Sequence, residues 1–292
     1  MDRRHLTTAI QNKMDGPPSF ADLSKSANDI FNEGFGYGFV KLSVKSNLAN
    51  GVEFKTSGSY ENNANKCAGS LETKQKRSEY GLTFTERVNS DHTVGGGVTV
   101  QDQILKGLKL SLNTTFSPKT GMKSGKVTMA YKHKYVNLGC DVDLPFATSS
   151  IHAVVGYKGW ISGYRMRFDR LEIVQNTFAF GYKTGDFQVH SNINEGAEFE
   201  SSIYQKVSDK LEMAVNLAWT THSTNTCFGI AAKYQLNKEA SVSVKVDSSC
   251  FVGIGYSQNL RPGVKLTLSS LVHGMNINSG DKKLGLGLEI EV

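Results

Sequence analysis

From Phe39 to Val292 the chain alternates apolar and polar residues with a period of two, and in nearly every run only one face is apolar. Val40, Leu42 and Val44 alternate with Lys41, Ser43 and Lys45, and Leu108, Leu110 and Leu112 with Lys109, Ser111 and Asn113. Val242, Val244 and Val246 oppose Ser243, Lys245 and Asp247, while Val264, Leu266 and Leu268 oppose Lys265, Thr267 and Ser269. At the end, Leu284, Leu286, Leu288, Ile290 and Val292 hold one face and Gly285, Gly287, Glu289 and Glu291 the other. A period of two with one apolar side reads as strand. Turn signals separate the runs at Asn50-Gly51, Asn89-Ser90-Asp91, Thr120-Gly121, Thr184-Gly185, Pro262-Gly263 and Ser279-Gly280. About 250 residues divided into strands of ~10 plus short turns give on the order of nineteen strands in one domain.

Two architectures fit this pattern. A soluble sandwich or barrel buries its apolar face, and where sheets stack some strands are apolar on both sides. A wide membrane barrel turns the apolar face to lipid and keeps the other around water. The persistent polar second face favours the membrane barrel. No window holds the ~18 consecutive apolar residues of a membrane helix, but strands that alternate between lipid and lumen average to near neutrality and escape that test.

The segment before Phe39 has another period. Phe20, Leu23, Ala27, Ile30 and Phe31 form one helical stripe after Pro17 and Pro18. Ser19 is placed to cap the start, and Gly34, Gly36 and Gly38 to end it. The expectation is an N-terminal extension over 1–16, one amphipathic helix with a glycine hinge over 17–38, and a barrel over 39–292. Met14 is a candidate second start, and the residues before it suggest no role.

With 29 glycines and 5 prolines in 292 residues, a mainly helical fold is disfavoured. The formal charge of +6 suggests anionic company, phosphate, nucleotide or lipid headgroup, although it is spread without any run of four basic residues, as on an ordinary solvated surface. Cys67, Cys140, Cys227 and Cys250 lie far apart with no CxxC, so free thiols are expected rather than a zinc site or disulfide framework. No secretory signal is visible in the first thirty residues. The seven histidines show no HExxH or paired metal spacing, and GxSxG and Walker motifs are absent, so neither enzyme nor metal chemistry is expected.

The stretch PPSFADLSKSANDIFNEGFGYG, from Pro17 to Gly38, resembles the N-terminal signature of eukaryotic mitochondrial porins, the voltage-dependent anion channels. GSLETK from Gly69, YGLTFTE from Tyr80, GLKL from Gly107, NLGCDVD from Asn137, SIYQKV from Ser202, AVNLAW from Ala214, FGIAAKYQL from Phe228 and KLGLGLE from Lys283 continue the resemblance in order. It implies a transmembrane β-barrel of 19 strands, a number already known for that family and so not an independent result of the length arithmetic, with the helix inside the pore. It further implies a voltage-gated pore of the mitochondrial outer membrane passing ATP, ADP, phosphate and other small anions. The alternatives are a scaffold of the same fold for kinase or apoptosis partners with weak or cation-preferring transport, and, ranked last, a protein-import pore.

Several residues follow as candidates. Glu86 shares parity with Tyr80, Leu82, Phe84 and Val88, which points a carboxylate at lipid, where acids are costly and functional by default. The resemblance makes it the membrane-facing glutamate linked to gating, dimerisation and hexokinase-type partners; the bland alternative is a residue at the bilayer edge. Lys41, Lys45, Lys109, Lys233, Lys245 and Lys265 fall on the polar face and together would raise anion concentration in a lumen. By resemblance, Lys25 meets a nucleotide phosphate. Glu33 stands where the family has a second such lysine, so ATP contact there is in doubt and anion preference weakened. Weak NAD contacts map to Phe251, Val252 and Gly253 and to Ser269, Ser270, Leu271, Val272 and His273, where the histidine departs from an acidic residue and no βαβ unit exists. No cofactor is required; ATP or NADH enters as a regulator. The expected partners are the lipid bilayer, small anionic metabolites, hexokinase-type and apoptosis-factor proteins and a second copy of the chain, with no nucleic acid as main partner.

Overall fold

The computed structural model describes residues 16–292 except 49, 63, 145–147, 171, 222–225 and 276–281. Among the described residues nineteen strands, β1 (Phe39–Asn47) to β19 (Lys283–Glu291), run in chain order around one closed sheet. Each strand pairs antiparallel with the next, and the odd number leaves β1 and β19 parallel where the sheet closes. There Val40 opposes Leu286, Leu42 opposes Leu288 and Val44 opposes Ile290. Gly38 N–H donates to Leu284 O and Val292 N–H to Lys45 O, both at 2.9 Å, which continues the seam beyond its strands. Closure gives every strand two hydrogen-bonded neighbours, as a lipid-embedded sheet requires.

The two architectures left open by periodicity are separated by which face is outside. Val40, Leu42, Phe84, Phe178, Leu217, Ile230 and Leu286 are all exposed on the outer wall. A soluble barrel of this size would bury that set; a continuous apolar exterior is what lipid covers. Among the described residues, the buried apolar side chains other than Ala240 instead form two small clusters where the N-terminal segment meets the inner wall.

That segment is not one helix. Phe20–Asp22 is a single 3₁₀ turn, and the α-helix α1 is confined to Lys25–Asn32. The expected cap at Ser19 fails because its hydroxyl donates to the Asp22 carboxylate at 2.7 Å instead of accepting a backbone N–H. The chain restarts after Ser24, whose hydroxyl accepts from the Asn28 side chain at 3.0 Å. Tyr80 also differs from expectation: it ends a 3₁₀ turn, Ser78–Tyr80, ahead of β4 (Leu82–Asn89). The Ser279-Gly280 turn lies outside the described residues.

Candidate functional site

The inner wall holds the N-terminal segment by small residues opposite large ones. Asn137 of β8 (Val136–Leu144) donates through Nδ2 to Pro17 O at 3.1 Å. Phe20 packs with Leu23 against Val154 of β9 (Thr148–Tyr157), Ile161 of β10 (Trp160–Asp169) and Ala179 of β11 (Glu172–Lys183). The Phe20 ring has room because residue 163 is glycine: a Cβ there would lie 3.1 Å from it. The Arg165 guanidinium sits 4.8 Å from the centre of the same ring. Gln188 of β12 (Phe187–Asn194) donates its side-chain N–H to Leu23 O, at the break between the 3₁₀ turn and α1.

In α1, Ala27 and Ile30 are buried against Ala214 of β14 (Leu211–Thr220) and Ala231 of β15 (Thr226–Gln235), with Tyr204 of β13 (Glu198–Ser208) beside them. Gly229 makes room for Phe31, since a Cβ there would stand 3.0 Å from that ring. The last turn ends on two cations. Lys245 of β16 (Ala240–Asp247) donates to Phe31 O at 2.9 Å, which satisfies an end-of-helix carbonyl. Its ammonium also lies 4.5 Å from the Phe35 ring centre and 5.3 Å from that of Tyr37. Lys233 donates to the Glu33 carboxylate at 3.1 Å.

The hinge turns at Gly34 (φ +84°) and Gly38 (φ +77°), a region glycine enters without strain. Opposite it the wall is stripped of side chains. Gly253 and Gly255 of β17 (Phe251–Arg261) lie against the Tyr37 hydroxyl and Gly34 O, and Gly285 lies against Gly36 O. Gly36 N–H donates to Ser269 Oγ of β18 (Val264–His273) at 3.1 Å. Burial pushes the Tyr37 hydroxyl above the usual phenol range, so it stays protonated throughout the neutral region.

The two runs that the resemblance marks as weak NAD contacts lie beside the hinge. They are paired neighbours, Phe251 with His273, Val252 with Val272 and Gly253 with Leu271, on β17 and β18. Gly253 and Ser269 face inward and touch the hinge, Ser270 and Val272 alternate to the outer side, and the Phe251 and His273 rings meet edge to face at 4.9 Å. Lys25 is exposed on α1.

The six lysines share the inward parity but occupy different settings. Lys45 pairs with Glu291 at 3.3 Å and Glu53 at 3.7 Å, Lys233 with Glu33, and Lys265 with Glu289 at 3.9 Å. Lys245 is taken up by the hinge, whereas Lys41 lies over the Phe39 ring and is exposed, as is Lys109 of β6 (Leu108–Phe116). Sequence reasoning missed a further inward cluster: Glu72 of β3 (Lys66–Arg77), only 9% exposed, holds Lys74 at 2.8 Å and Arg87 of β4. No local motif announces it, because it depends on the β3/β4 register that sets Glu72 opposite Arg87.

Glu86 is exposed on β4, opposite Thr73 on one side and Gly96 of β5 (Val94–Gln101) on the other. It borders a groove of about 880 Å³ with Val88, Val94, Gly96, Phe116 and Lys123. Among the described residues no three of His, Cys, Asp or Glu cluster at metal-holding distance, and all four cysteines are free. No described helix is long and apolar enough to cross a membrane, which leaves crossing by strands untouched.

A closed sheet that is apolar outside and polar inside, with an amphipathic segment laid along its inner wall, defines a membrane β-barrel pore. Residues 16–285 match the eukaryotic porin family, and the chain belongs to it. The "Non-selective voltage-gated ion channel VDAC2" of Xenopus laevis is 63% identical over 279 residues, covering 94% of this chain and 99% of the relative. Proteins of the same name from Meleagris gallopavo and Homo sapiens are 61% and 58% identical, each covering 94% of this chain and 94% and 95% of the respective relative. A mutant porin of Rhodopseudomonas blastica aligns at 11% identity and a TM-score of 0.47, covering 87% of this chain and 95% of that one.

Proposed function

We propose that the chain is a voltage-gated pore of the mitochondrial outer membrane that passes small ions and metabolites, among them ATP, ADP and phosphate. The observation that carries the reading is the inner wall. Its polar face runs around a closed sheet, the docked segment touches β13–β15 through α1 and β9 and β10 through the 3₁₀ turn, and Lys41 and Lys109 elsewhere on the wall remain exposed to solvent. Relatives named as voltage-gated ion channels over nearly their whole length support the gating. The mitochondrial site, regulation by ATP or NADH through Lys25 and the β17–β18 runs, and docking of hexokinase-type, apoptosis-factor or self partners near Glu86 are proposals resting on the resemblance. No catalytic step is assigned.

Refolded protein in a planar bilayer under a salt gradient tests this. A large conductance that falls to a partly closed level as voltage of either sign rises is expected. A folded barrel that conducts no current would overturn the pore reading.

A further inference from the structure

One sector of one barrel rim carries a side-chain arrangement that neither pore nor gate uses. At the turn joining β7 (Lys123–Lys132) to β8, the Lys134 ammonium lies 5.3 Å from the centre of the Tyr135 ring. At the next turn along that rim, Lys158-Gly159 between β9 and β10, the Lys158 ammonium lies 5.3 Å from the Tyr157 ring. The two tyrosine rings are themselves 6.3 Å apart, so both cations belong to one patch. Lys158 (φ +48°) and Gly159 (φ +90°) form a tight two-residue turn that fixes the lysine at the crest.

Below the crest, aromatic rings continue down the outer wall. Trp160 lies 4.9 Å from Tyr182 and 5.3 Å from Phe180, and one step further Tyr164 lies 4.9 Å from Phe178. Tyr135, Tyr157, Trp160, Phe180 and Phe178 are between 45% and 60% exposed, far more than a wall packed on protein would leave them. Lys132 and Lys183 flank the patch at the ends of β7 and β11. The acids nearest along this rim are Asp102, whose carboxylate accepts from Gly107 N–H at 2.7 Å, and Asp186, in the turn that directly follows Lys183 between β11 and β12.

We infer that this sector is a binding site for an anionic phospholipid, with the headgroup between Lys134 and Lys158 and an acyl chain along the Trp160–Phe180–Phe178 wall. Amphipathic rings with cations above them match a lipid in both parts: the ammonium groups meet the phosphate and the rings meet the glycerol and upper chain. A free phosphate would use only the crest and leave the aromatic wall unexplained. The inference rests on reading the wall as lipid-facing.

The test uses the full-length protein with Trp219→Phe, so that Trp160 is the one remaining tryptophan, reconstituted in phosphatidylcholine vesicles. Trace phosphatidylglycerol or phosphatidylcholine carrying a nitroxide on the acyl chain near the glycerol quenches Trp160 according to its occupancy of the wall. Labelled phosphatidylglycerol is expected to be preferred about fivefold, the size expected for one basic residue near an anionic surface. Lys134→Gln/Lys158→Gln should erase the preference, and Lys119→Gln on the opposite rim should retain it. On the unmutated lysines, raising salt to about 1 M should also erase it, because screening then acts within about 3 Å. Equal quenching by the two lipids, a preference that survives the double substitution, or one that survives high salt would overturn the site. Conductance of the same preparations separates this failure from failure of the pore reading.

Discussion

The position of the N-terminal segment depends on Gly285. A Cβ added there would stand 2.5 Å from both the Gly36 carbonyl carbon and Ser269 Oγ, and closer still to the Gly36 oxygen. Ordinary van der Waals contact begins near 3.4 Å, so the hinge must retreat by about 1 Å, and the opposing atoms are mostly backbone. Overpacking of this kind costs roughly 1–3 kcal/mol, and loss of the Gly36 N–H to Ser269 Oγ bond adds about 1 kcal/mol. The barrel has eighteen other strands to hold the wall, so the segment yields first. A cost of about 3 kcal/mol lowers the docked-to-undocked ratio roughly a hundredfold. Gly287→Ala is the control, because its Cβ, on the same face of β19, would meet only Thr267 atoms at 3.5 Å and beyond. In proteoliposomes, tryptic cleavage after Lys25 reports undocking. Gly285→Ala should accelerate cleavage by one to two orders of magnitude and Gly287→Ala should leave it unchanged; indistinguishable rates would refute the claim that wall glycines set the docked position.

Glu33→Lys replaces an ion pair with a repulsion and changes the charge beside α1 by two units. At about 5 Å in water each unit is worth ~0.8 kcal/mol before screening, and roughly half that after it. The permeability of each ion should therefore change about fourfold, moving the reversal potential towards anions, and an unchanged value would remove Glu33 from the ion path. Phe20→Ala empties the pocket under Val154 and Ile161 and should cost about 3–5 kcal/mol of docking; the expected readout is again faster cleavage after Lys25, without a fall in barrel melting temperature. Glu86→Gln removes a charge from the outer wall and should raise the melting temperature, whereas Glu86→Lys should lower it, at a stability cost of up to ~2–4 kcal/mol. A lower melting temperature for Glu86→Gln would show the carboxylate to be held by a favourable contact.

The barrel was legible in the sequence because alternation is a local property that strand geometry reads directly, as in Leu284 to Val292 against Gly285 to Glu291. Along the closure seam β1 and β19 carry matched apolar parity, but that these two strands pair follows from the odd strand number, which the resemblance implies and alternation does not. The N-terminal helix was overread: the 3.6-residue stripe from Phe20 to Phe31 is real, but Ser19 bonds Asp22 and the Leu23 carbonyl is claimed by Gln188, 165 residues away. Nothing local signals such a competitor. Contacts set by register were equally hidden. Nothing in the local sequence around Gly253, Gly255 and Gly285 shows that what they make room for is the hinge. Parity alone puts the six lysines on the polar face, while their partners Glu33, Glu289 and Glu291 become visible only once strands and segment lie beside one another.

Passage of ions and metabolites requires an open, water-filled lumen beside the docked segment, and polymer exclusion measures that lumen directly. Single-channel conductance of the wild-type protein is recorded in the presence of polyethylene glycols of graded size. Small polymers should enter and lower the conductance in proportion to bulk conductivity, and a sharp threshold should appear above which larger ones have no effect. Conductance that ignores even the smallest polymer, or no conductance at all, would mean that the barrel interior is filled and would contradict the account.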